Sequence, residues 1–186
     1  MPTYGNQSRM HLVEKLNMHF RLLAFCMPAI IMLSSCDSNN TLATDAQIDS
    51  IAVYKSKKRM QVYSHSKLLK TYKIALGRQP KGHKQYEGDM RTPEGLYRIY
   101  DRNPNSTCYK NLGISYPNQH DKAHAKNLGK SPGGSIKIHG LPNGEGYWGK
   151  LHTYRDWTYG CIAVTNEEMD ELFDKVAIGA PICIMP

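Results

Sequence analysis

Between residues 50 and 185 the sequence is cut into short apolar runs of strand period by Gly, Pro and polar turns, and only one segment changes to helical spacing. Strand-like runs fall at residues 50–55, 59–64 and 68–76, the last with Leu68, Tyr72, Ile74 and Leu76 mainly on one face. Gly77 ends that run, and Gly82, Gly88, Pro93 and Gly95 mark turns and loops. Further short strands are expected at 96–100, 113–116, 135–139, 161–164 and 180–185. The exception is a helix: Thr165 and Glu168 make a capping box, and Met169, Leu172, Phe173 and Val176 recur on one face until Gly179. These signals predict one mainly β domain with one helix in its C-terminal half and long loops. The chain has 186 residues, enough for one domain with a real core.

Ahead of that domain, Arg9, Lys15 and Arg21 precede an uncharged apolar stretch from Leu22 to Leu33. Crossing a bilayer takes roughly 20 apolar residues, so this stretch fits the core of an export signal rather than a membrane span. It ends in Leu33-Ser34-Ser35-Cys36, which resembles the lipobox of bacterial lipoproteins. The resemblance implies cleavage before Cys36, a lipid anchor on that cysteine, and a location in the bacterial envelope facing the periplasm or wall. Asp37 then resembles an inner-membrane retention signal. Residues 38–47 are rich in Ser, Asn, Thr, Ala and Asp, as expected of a flexible tether. The expected organisation is a signal over 1–35, a tether over 36–47 and a catalytic domain over 48–186.

Removing residues 1–35 takes three basic and one acidic residue from the 24 and 16 of the whole chain, leaving 21 against 15, a net +6. Export excludes nucleic acid as a routine partner of that charge and leaves anionic lipid or an acidic wall polymer. Lys55, Lys57, Lys58 and Arg59 read as a solvated turn. Three cysteines remain beyond the signal and Cys36, namely Cys108, Cys161 and Cys183. An odd number in an oxidising compartment leaves at least one thiol unpaired. A Cys108 to Cys183 bridge is open, as is a role for both as small buried hydrophobes.

Two segments carry potential chemistry: Ile136-Lys137-Ile138-His139-Gly140 and Thr158-Tyr159-Gly160-Cys161-Ile162-Ala163-Val164. A free thiol titrates near 8.5 and needs a positioned imidazole or positive field to act as a nucleophile, which points to Cys161 with His139 as base. Gly160 allows a tight turn that aims the backbone N–H groups of Tyr159, Gly160 and Cys161 at a developing oxyanion. By residue type alone, a Gly-Cys pair entering an Ile-Ala-Val strand also reads as packing.

The two segments together resemble the YkuD-type L,D-transpeptidase signature, in which a His-Gly is followed by Ser or Thr, usually His, then Gly and Cys. Thr158, Gly160, Cys161 and the His139-Gly140 pair match. Further matches are Gly88-Asp89-Met90-Arg91-Thr92-Pro93-Glu94-Gly95, Ile114-Ser115-Tyr116-Pro117-Asn118, and the run from Pro132 to Gly140. The resemblance implies a β-sandwich-like catalytic domain that needs no metal or organic cofactor. It also implies attack by Cys161 on the third residue of a peptidoglycan stem peptide, release of the terminal D-amino acid and transfer to an amine acceptor. Hydrolysis of the same acyl-enzyme, and a wall-binding module without turnover, stand as alternatives.

Two departures matter. Tyr159 replaces the usual second histidine, leaving a backbone carbonyl or a phenol to orient His139, and Ala163 replaces a polar residue. Arg155 and Trp157 are candidates for a carboxylate-binding charge and an apolar wall, with Thr158 and Gly140 as further substrate-side candidates. Tyr86, Tyr147 and Trp148 are groove candidates. His83, His120, His124 and His152 lie on loop-like segments without metal-ligand pairing and read as surface histidines.

Overall fold

The computed structural model describes residues 41–186. The expected export signal, Cys36 and the first part of the tether lie outside the described residues. The strands are β1 (Ser50–Tyr54), β2 (Arg59–Ser64), β3 (Lys67–Lys73), β4 (Gly95–Ser106), β5 (Tyr109–Ile114), β6 (Lys137–His139), β7 (Ile162–Ala163) and β8 (Pro181–Met185). Two α-helices, α1 (Gln119–Asn127) and α2 (Asn166–Lys175), and a 3-10 segment (Gly146–Tyr154) complete the described elements.

The fold is mainly β, as expected. Among the described residues, eight strands form one sheet in the order β3-β2-β1-β8-β4-β5-β6-β7. β1 pairs parallel with β8 and β6 parallel with β7, and the other neighbours are antiparallel. The two ends of the sheet meet through one stretch of chain. After leaving β3, Ala75 bridges Ala163 of β7 and Gly77 bridges Thr158, so the sheet curls over a shared core. Alternation puts Ile51 and Val53, Met60 and Val62, and Ile182 and Ile184 inside.

Helix α2 starts as expected. Thr165 accepts from Glu168 N–H while the Glu168 carboxylate accepts from Thr165 N–H, and Met169 and Leu172 are buried without exposure. Burying each contributes roughly 1.5–3 kcal/mol. The helix ends at Lys175, before Gly179.

Several expectations change. Leu68 is 46% exposed while Tyr72, Ile74 and Leu76 are fully buried. The pairing slips between Val62 and Tyr63, which face Lys70 and Leu68 and skip Leu69, so the bulge turns the start of β3 over. Strand β4 runs on to Ser106 through the polar stretch 101–106, supported by its hairpin partner β5 rather than by an apolar face. Helix α1 lacks an apolar stripe: among its residues only Asp121 and Ala125 are buried, and a capping box between Asn118 and Asp121 defines its start. Lys55 is 4% exposed, not solvated, and its Nζ donates to Glu94 Oε1 at 2.8 Å and to the carbonyls of Gly82 and Thr92. Lys58 pairs with Asp156 at 2.8 Å. At the tether's end, Leu42 packs against the core and the Thr44 carbonyl accepts from Lys175 Nζ.

Candidate active site

Strands β6 and β7 lie side by side in parallel, with Ile138 opposite Ile162 and His139 opposite Ala163. Successive side chains of a strand alternate faces, so stepping back from Ile162 puts Cys161 on the face that Ala163, His139 and Lys137 share. Residues 22 positions apart in sequence are thereby joined through two short strands.

His139 is 7% exposed. Its Nδ1 lies 2.7 Å from the Gly140 carbonyl oxygen. A carbonyl only accepts, so Nδ1 carries the proton and Nε2 is the free base. The orienting group is therefore a backbone carbonyl. The alternative phenol is elsewhere: Tyr159 is 65% exposed and lies under the Arg78 guanidinium, 4.7 Å from its ring centroid.

Burial pushes the His139 imidazole below its usual titration range, with the Lys137 charge acting the same way and the Gly140 carbonyl opposing. Burial pushes the Cys161 thiol up, partly offset by the Lys137 backbone N–H and the Lys137 charge. Both shifts disfavour a resting thiolate–imidazolium pair. The resting state is thiol and neutral imidazole, which suits proton transfer during attack. Cys161 Sγ also donates to the Ser135 carbonyl, at 3.6 Å.

The turn before Cys161 is built from buried contacts. Thr158 Oγ1 donates to the Cys161 carbonyl at 2.7 Å and accepts from Gly160 N–H at 3.1 Å. Gly160 has φ +129° and its backbone presses on the Arg91 carbonyl, where a Cβ would come within 2.7 Å, and on Gly77. This corrects two sequence expectations. The Gly160 N–H is occupied by Thr158 rather than open to an oxyanion, which leaves Tyr159 and Cys161 N–H as candidates. Thr158, 3% exposed, holds the turn and is out of reach of substrate. Gly140 is buried too, its N–H donating to Lys110 O and its Cα packed beside Asn166 and Tyr109.

Arg155 and Trp157 line a cleft of about 640 Å³ with Leu141, Trp148, Leu151 and His152. Cys161 does not line it. The cleft joins the site through Trp157, whose ring meets His139 edge-on at 5.6 Å. Of the other aromatics, Tyr147 is 78% exposed and stacks on Trp148, and Tyr86 sits under Lys130 Nζ.

The histidines need correction. His152 is buried, with its ring edge-on to Trp157. His83 is half-buried, accepting Glu94 N–H at Nδ1 and facing Asp121 at 3.1 Å. Apolar neighbours at 151 and 157 were the only local signal for His152. Lys137, whose charge acts on both His139 and Cys161, has no distinguishing mark in the sequence, because an alternating strand gives a lysine none. Cys108, Cys161 and Cys183 are all free and half-buried. Among the described residues no group of three or more His, Cys, Asp or Glu side chains is arranged to hold a metal ion.

The family model of the YkuD L,D-transpeptidase catalytic domain matches residues 48–184. YafK of Escherichia coli strain K12, itself provisionally named an L,D-transpeptidase, is 33% identical over 135 residues, covering 68% of this chain and 46% of YafK. The chain thus spans less than half the length of that relative. The helical cell shape determining protein Pgp2 from Campylobacter jejuni is similar with a TM-score of 0.53 and 26% identity, over 80% of this chain and 51% of Pgp2. The L,D-transpeptidase from Mycobacterium smegmatis shares the fold, with a TM-score of 0.52 and 14% identity over 76% of this chain and 59% of that one.

Proposed function

The chain belongs to the YkuD family of L,D-transpeptidase catalytic domains, and from that premise we propose that it is a cysteine acyltransferase acting on peptidoglycan stem peptides. The observation that carries this reading is the pairing of β6 with β7, which sets His139 opposite Ala163 while Cys161, one residue ahead of β7, meets the Ser135 carbonyl two residues ahead of β6. Cys161 Sγ attacks the carbonyl carbon of the third stem residue as its proton passes to His139 Nε2. The C–N bond to the terminal D-amino acid then breaks, the leaving amine takes that proton, and a thioester remains on Sγ. An acceptor amine attacks the thioester, its proton goes to His139 and then to the departing sulfur, and free enzyme returns.

Removing one positioned proton-transfer group costs roughly 10²–10⁴ in rate, and removing the sulfur removes the acyl-enzyme itself. Purified muropeptides incubated with the protein and read by mass spectrometry should therefore show cross-linked products with wild type and none with Cys161→Ala. Shortened peptides instead of cross-links would make it a hydrolase of the same nucleophile. That second reading is favoured by Ala163, which is fully buried and pairs with Ala75, so no polar side chain at this position holds an acceptor. Unchanged muropeptides with both proteins would end the proposal.

Export and anchoring through lipid on Cys36 complete the reading and would hold the domain at the envelope, near its substrate. Radiolabelled palmitate should enter the wild-type protein in cells and not Cys36→Ser; equal labelling would reject the anchor.

A further inference from the structure

His152 lies against the 640 Å³ cleft and is 8% exposed. Its Nδ1 accepts from Trp157 Nε1–H at 3.4 Å. An indole N–H only donates, so the neutral ring carries its proton on Nε2. That Nε2 is buried without a partner among the described residues. A buried donor left unpaired is destabilising, and an orphan of this kind calls for an explanation. Burial, with His139 nearby, holds the His152 titration down to about 4, so at neutral pH the ring is an uncharged donor.

Above it, Leu141, Trp148, Leu151 and Trp157 give the cleft apolar walls. Arg155 stands exposed on its lining without an ion pair or hydrogen bond among the described residues. A guanidinium and an N–H donor over apolar walls match a carboxylate better than a neutral amide, because every polar group they offer is a donor.

We propose that this cleft is the subsite for the terminal residue of the peptide, its free carboxylate held by Arg155 and by His152 Nε2–H. The assignment rests on the Cys161 and His139 reading above. The leaving amine must collect its proton from His139, so the leaving residue lies on the His139 side of Sγ. The cleft meets His139 on that side through Trp157. Glu145, the acidic residue of the lining, then matches the amino group that the departing residue acquires when the bond breaks. Nε2 is covered at rest, so binding moves part of the wall aside. Trp148 and Leu151, 47% and 58% exposed, are the side chains free to do so.

Both tryptophans of the chain, Trp148 and Trp157, line this cleft, so intrinsic fluorescence reports its occupancy. The test titrates the full chain carrying Cys161→Ala with a synthetic tetrapeptide ending in D-alanine and with its C-terminal amide. The acid should bind at least about tenfold more tightly than the amide, the order expected for a charge-assisted pair. Adding His152→Phe or Arg155→Ala should remove most of that preference, whereas His152→Gln, which keeps an N–H near Nε2, should retain it. If His152→Phe fails to fold, the exposed Arg155→Ala and the conservative His152→Gln decide. Equal binding of acid and amide, no binding of either, or a preference untouched by Arg155→Ala and His152→Phe would overturn the subsite. A carboxylate preference in a protein whose wild type leaves muropeptides unchanged would reject the proposed reaction and keep the subsite. Turnover without the preference would reject the subsite alone.

Discussion

The turn that delivers Cys161 and the 3-10 segment that walls the neighbouring cleft are built to opposite standards. Residues 158–161 are tied from several directions: Thr158 N–H donates to Leu76 O, its hydroxyl bonds Gly160 and Cys161, and Gly160 is wedged between Arg91 and Gly77. The 3-10 segment exposes Tyr147, Leu151 and Tyr154 at 78%, 58% and 75%. It is interrupted at Gly149 and anchored by buried His152 and Thr153. A reacting atom tolerates displacements of only a fraction of an ångström, whereas a wall that admits a peptide gains from movable side chains. The contrast places rigidity at Cys161 and adaptability one side chain away, with Trp157 as the border.

The rigid turn is most vulnerable at Gly160. In Gly160→Ala the new Cβ meets the Arg91 carbonyl within 2.7 Å at φ +129°, and backbone strain of this kind costs about 1–3 kcal/mol before the clash is counted. The melting temperature should fall by roughly 5–10 °C. Displacing Sγ by about 1 Å should slow turnover about 100-fold. Thermal melts and single-turnover rates close to wild type would show that the turn is not held as tightly as its contacts indicate.

A smaller effect is expected of Thr158→Val, which keeps the shape and deletes the hydroxyl. Gly160 N–H and the Cys161 carbonyl lose their partner, and an unpaired buried N–H costs about 1–3 kcal/mol. Urea denaturation should register that loss with an unchanged slope. If stability is instead unaltered, water reaches the turn and the turn is less rigid than its contacts indicate.

Much of this contrast was open to a reader of the sequence and part of it was not. The strand periods of β1, β2 and β8 and the Thr165 capping box are local signals, and local signals survive folding. The segments holding Cys161 and His139 stood out through the family signature they resemble, and the pairing of β6 with β7 brings those segments side by side. What failed were properties that depend on partners. Nothing near Leu68 announces the skipped residue that turns it outward. Lys55 is buried only because Glu94 and two distant carbonyls receive its ammonium. His152 becomes a buried cleft-lining histidine only when Trp157 folds over it, and the Gly160 N–H is occupied only because Thr158 curls back. Helix α1 was missed for a different reason, since a capping box without an apolar stripe looks like a loop.

In the adaptable wall, Tyr147→Ser should have the smallest effect on stability. Tyr147 is 78% exposed and stacks on Trp148, with ring centroids 5.6 Å apart. Substitutions at such surface positions stay within about 0.5 kcal/mol of wild type, so the melting temperature should hardly move. The tryptophan emission should shift all the same, because Trp148 loses the ring that covers one face. A large loss of stability would mean that the 3-10 segment is held through its exposed aromatics. It would then be a structural wall, and the boundary between the rigid and adaptable parts of the site would have to be redrawn on the far side of Trp157.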